Sequence, residues 1–101
     1  MDDDLIAFFR ETLIQLEVLV EEARSKCPRL KMTSKPAIDK AERLLRSRID
    51  KCSIFTAFNT AAQVVHSDIK PCRNFPDPLT SANAAMALIK EIQMTAEDSG
   101  C

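Results

Sequence analysis

From Leu5 to Ala23 the apolar residues recur three and four positions apart. Ile6, Phe9, Leu13, Leu16, Val20 and Ala23 form a stripe that Leu5 and Leu19 widen. Residues so spaced stack on one side of a helix, so the pattern predicts a helix over 4–26 with one core-facing side. Asp4 is the expected N-cap and Pro28 the stop. A second segment, 35–51, opens with Pro36 in its first turn and carries Ile38, Ala41, Leu45, Ile49 and Cys52 on its apolar face. A third, 53–69, carries Ile54, Phe55, Phe58, Ala61, Ala62 and Val65. A fourth, 78–96, presents Leu79, Ala82, Ala85, Met86, Ile89 and Ile92, with Asp77, Thr80 or Ser81 as the cap. The tail 97–101 is expected to fray.

The join between the second and third segments decides the architecture. At 100° per residue the apolar face swings by roughly 150° at Cys52–Ser53, while Ser53, Thr56, Thr60, Gln63 and Ser67 line the polar side. A straight helix cannot turn both faces to one core. The pattern therefore predicts a break, with Asp50 or Ser53 capping a new helix. The alternative is one continuous helix over 35–69 whose halves serve different neighbours, as in an intertwined dimer.

Composition agrees with the helical reading. One Gly, no Trp and no Tyr in 101 residues leave little material for sheets and their turns. The fold class expected is all-α: a single domain over 1–101, a small four-helix bundle with antiparallel up-down topology, or else a less regular orthogonal packing of the same helices.

Charge and chemistry narrow the function more by exclusion than by signature. His66 is the only histidine, and it lies on a helix near the edge of the polar face. The cysteines show none of the close spacings of a zinc site, no base stands near a nucleophile, and the one glycine rules out a phosphate loop. No catalytic, cofactor or metal residues are assigned, and no enzyme is expected. Net charge is −1, but seven acids against three bases in 1–26 and five against three in 53–101 leave 27–52, with three acids against eight bases, as the basic stretch. Pairs one turn apart, such as Asp39 with Arg43 and Glu42 with Arg46, blunt it. Lys35, Lys40, Arg48 and Lys51 remain as candidate nucleic-acid contacts, without one common stripe or a base-stacking surface.

The clearer functional signal lies on the first helix. Ala7, Ile14 and Val18 fall opposite its core face, between charged flanks, and are the candidate contacts for another protein or a second copy. The expected function is a protein–protein interaction module: an adaptor, regulator, inhibitor or assembly factor, and a homodimer in one version. The alternative is a nucleic-acid-associated regulator using the basic second helix.

The chain opens on Asp2, Asp3 and Asp4 rather than a basic leader, and no apolar run approaches the ~20 residues of a membrane span, so a cytoplasmic location is expected. Up-down topology brings Cys27 toward Cys72 and Cys52 toward Cys101. A reducing cytosol would nonetheless keep four free thiols, with Cys52 shielded on the apolar face and Cys101 the most reactive.

Overall fold

The computed structural model describes residues 1–72 and 78–101, the side chains of the latter stretch from Ala84 onward, and forms four helices. They are α1 (Asp3–Lys26), α2 (Lys35–Ser47), α3 (Lys51–Ile69) and α4 (Pro78–Asp98). The fold is thus all-α, as the periodicity predicts, and no strand occurs among the described residues. Asp2 rather than Asp4 caps α1, its carboxylate accepting from the Leu5 N–H at 2.7 Å. Starting there leaves Asp3 and Asp4 inside the first turn, where their charge faces the positive end of the helix dipole. The capping residue of α4 and the expected roles of Leu79 and Ala82 lie outside the described residues.

The predicted break is present, four residues earlier than the face switch suggests. The α2 helix ends at Ser47, and Arg48 takes a left-handed conformation at φ 51°. Asp50 then caps α3 in an extended conformation, accepting from the Cys52 N–H at 3.1 Å and the Ser53 hydroxyl at 2.7 Å. A left-handed residue followed by a side-chain cap reverses the chain within three residues. The continuous 35–69 helix does not form. Ile49, expected on the apolar face of α2, stands in this turn at 86% exposure, and Cys52 belongs to the first turn of α3.

The helices meet around α3. It packs against each of the other three, α1 also touches α2 and α4, and α2 and α4 do not meet among the described residues. Phe9 and Phe58, both fully buried, stack at 5.2 Å between ring centroids, and Phe55 meets Phe9 edge-on at 4.7 Å. Ala57, Ala61 and Ala62 on α3 let its neighbours approach closely where the phenylalanines do not fill the space. Thr12 is buried in α1 at no cost in unmet polarity, since its hydroxyl donates to the Phe8 carbonyl at 2.8 Å. No helix among the described residues is long and apolar enough to cross a membrane.

The cysteines overturn one expectation. None is free: Cys27 is bonded to Cys72 and Cys52 to Cys101, with Cα–Cα separations of 5.9 and 5.4 Å. These are the two pairings expected from an up-down order of the helices, and both separations fit ordinary disulfide geometry. The first bridge ties the end of α1 to the end of α3, where Thr33 also donates its N–H and hydroxyl to the Asp68 carboxylate at 2.7 and 2.8 Å. The second ties the start of α3 to the last residue of the chain.

That last residue is not frayed either. Gly100, at φ +81°, closes α4 while the Gly100 N–H donates to the Glu97 carbonyl and the Cys101 N–H to the Ala96 carbonyl at 2.8 Å. This is the paired-bond helix ending that a left-handed glycine makes available. The single glycine in the chain is therefore spent on aiming Cys101 at Cys52.

Candidate interaction surface

The core-facing side of α1 comprises Leu5, Phe9, Leu16, Leu19 and Ala23, so the opposite side of the same helix faces solvent. Ala7, Ile14 and Val18 all lie there, with Ile14 54% and Val18 48% exposed. A large aliphatic side chain left half in water forgoes about half of the roughly 1.5–3 kcal/mol that full burial provides. Two of them, one turn apart on a helix with a complete core face, form a short apolar seam rather than a misplaced part of the core.

The seam opens into a shallow groove of about 400 Å³ whose wall includes Asp3, Ile6, Ala7, Arg10 and Ile14. Arg48 closes its other side. The left-handed turn after α2 thus brings Arg48 to the outer face of α1, a placement the linear charge pattern does not reveal because it depends on where α2 stops. Ile49, the next residue, adds an exposed aliphatic group to the same turn.

A second open groove, of about 700 Å³, runs between α2 and α3, with Ala37, Lys40 and Leu44 on one side and Ser53, Thr56 and Thr60 on the other. Asp50 reaches it, but its carboxyl is held below the usual carboxylate range, first by the Ser53 hydroxyl and then by the Cys52 N–H. A carboxylate occupied by capping and held ionised is poorly suited to shuttle protons near neutral pH. Apart from Lys40 and the capping Asp50 the groove presents apolar and hydroxyl surface, without a converging set of reactive groups.

The basic candidates are divided among separate places. Lys35 pairs with Asp39 at 3.5 Å, which replaces the Asp39–Arg43 pairing expected from spacing. The expected Glu42–Arg46 pair does form. Lys40 lines the α2–α3 groove and Arg48 the α1 groove, while Lys51 begins α3. The structure does not gather Lys35, Lys40, Arg48 and Lys51 into one groove. His66 is half-buried on α3, and among the described residues no group of three or more His, Cys, Asp or Glu side chains is arranged to hold a metal.

Comparison of the chain with models of protein families, with characterised proteins and with solved structures finds no match to any of them.

Proposed function

We propose that this protein is a small helical interaction module that works by binding another protein chain through the outer face of α1. The observation that carries this reading is the exposed Ile14–Val18 seam on a helix whose opposite side already supplies a full core face. An adaptor, regulator, inhibitor or assembly factor needs a rigid surface and no reacting group. The stapled bundle contributes rigidity: the Cys27–Cys72 bond ties the C-terminal end of α1 to the end of α3, and the Phe9 ring packs against Phe55 and Phe58 further along.

We further infer an oxidising compartment in place of the expected cytoplasm. Both cysteine pairs are bridged, and disulfides of this kind persist in secreted, luminal or periplasmic settings while cytosolic thiols are kept reduced. The nucleic-acid reading through Lys35, Lys40, Arg48 and Lys51 has weaker support, because these side chains are split between grooves and one is neutralised by Asp39.

The test is the double variant Ile14→Glu with Val18→Glu. It should keep the helical circular-dichroism signal and thermal midpoint of the parent protein, because both side chains are already half in water, and should lose self-association and partner recovery from the cells that express the protein. A folded double variant that associates and recovers partners as well as the parent would remove α1 as the binding face.

A further inference from the structure

We propose that the occupant of the α1 face is a second copy of the same chain, its α1 lying antiparallel, in a register set by a single row of alternating charge. The inference rests on the reading of α1 as the interaction face and names what covers it. The row is Asp3, Arg10, Glu17 and Arg24, each seven residues after the last and each opposite in sign to its neighbours. All four are exposed, and none has an ion-pair partner among the described residues. Seven residues fall only ~20° short of two full turns, so the row runs almost straight along one flank of the Ala7–Ile14–Val18 seam.

A two-fold axis that makes two helices antiparallel sets each flank against the same flank of the other copy. An alternating row is then complementary to its own reversal. Arg10 meets Glu17 of the second copy and Asp3 meets Arg24 of the second copy, and symmetry repeats each contact. In this register Val18 packs over Ala7 of the second copy, and Ile14 lies on the aliphatic stem of its Glu11. On the other flank half-buried Phe8 faces Gln15. Asp4 and Glu21 are the like charges that meet, at the two ends of the seam, and Arg24 stands beside them.

Other pairings lose this match. Set parallel, the row faces the opposite flank, where Arg10 finds Gln15 and Glu17 finds Glu22. Slid by one heptad, antiparallel helices put Ile14 against Val18 but also Arg10 against Arg24 and Glu17 against its own copy. The core face of α1 points the other way, and the contact runs alongside α2: Arg48 shares a groove with Asp3 and Arg10, and Lys35 and Asp39, paired with each other, line another with Glu17 and Arg24. A 24-residue helix is about 36 Å long, and one helix pair buries less than the ~1,600 Å² of a standard interface. The dimer therefore belongs with the small, reversible interfaces.

Sedimentation equilibrium of the full chain with both bridges intact, from roughly 10 µM to 1 mM, should show a monomer–dimer equilibrium that loosens in high salt. Arg10→Glu replaces two attractive contacts per dimer with two repulsive ones and should weaken the dimer by about tenfold or more, as should Glu17→Arg. Mixing the two single variants should restore association. One chain then carries acid at both positions and the other base at both. Combining the two changes in one chain should also restore it. Four outcomes overturn the proposal: a monomer at every concentration, single variants that associate like the parent, no rescue on mixing, or a dimer tightened by Arg10→Glu, which is the signature of the slid register. If the parent chain stays monomeric but loses a different protein partner on Ile14→Glu with Val18→Glu, this inference fails while the α1 face stands. If that double variant also changes nothing, both fail.

Discussion

Removing the Cys52–Cys101 bridge by the double change Cys52→Ala and Cys101→Ala isolates what a cross-link does to this chain. Cys101 is exposed and Cys52 only partly buried, so little packing is lost with the sulfurs. What changes is the unfolded state, which regains the freedom that a closed loop with a sequence separation of 49 denies it. In the chain-entropy description a loop of that length is worth about 4 kcal/mol at 25 °C, against a total stability on the order of 5–15 kcal/mol for a domain of this kind. A loss of that size should lower the thermal midpoint by roughly 15–30 °C, taking about 4–8 °C per kcal/mol for a chain of about a hundred residues. Urea denaturation followed at 222 nm gives the free energy directly, with the slope of the transition showing whether the unfolded state has expanded as the argument requires. Thiol titration of the parent protein in denaturant without reductant should find close to none. Four titratable thiols would mean the bridges do not form. A double variant within about 1 kcal/mol of a fully bridged parent would show that the bond constrains nothing the helices do not already hold.

Two further perturbations test the interior and the turn. Phe58→Ala, at a fully buried position stacked on Phe9, should cost about 3–5 kcal/mol in urea denaturation, and a loss under ~1 kcal/mol would mean the aromatic cluster is not packed as described. Asp50 has its pKa lowered in the folded state, so the stability it contributes is present above its unfolded pKa of about 4 and is lost as pH falls through the lower folded value. Asp50→Asn should therefore destabilise the protein most near neutral pH. The gap in urea midpoint between parent and variant should narrow below about pH 4, and a gap that stays constant down to pH 2 would separate the cap from its charge.

The helices were legible because their signal is local. Each carries a 3.6-residue period long enough to outvote its exceptions, and Pro28, Pro36 and Asp50 act within a turn of where they stand. The site of the break was harder, because the swing of the apolar face marks only that two helices differ in direction. Arg48 settles the boundary by adopting a left-handed conformation, to which its side chain gives no clue. The outward position of Ile14 and Val18 follows from periodicity alone. The proximity of Arg48 to that seam does not, since it depends on three-dimensional docking of α2 against α1. The cysteine pairs are legible from the order of the helices along the chain, whereas the residue pattern alone does not say whether the thiols bridge. The ordered tail does have a signal in the sequence: the one glycine stands a single residue before a cysteine.

The two bridges overlap along the chain, Cys27 to Cys72 and Cys52 to Cys101, so that each loop contains one foot of the other. One consequence concerns the covalent identity of the molecule rather than its stability. A single backbone cut anywhere after Cys27 leaves both pieces joined: between Cys27 and Cys52 by the first bridge, between Cys52 and Cys72 by both, and between Cys72 and Cys101 by the second. Only a cut within the first 27 residues releases a peptide, and that peptide comes from the helix bearing the exposed seam. In a protease-rich surrounding such a chain can be nicked in its connectors and persist as one particle of nearly unchanged mass, its scars visible only after reduction.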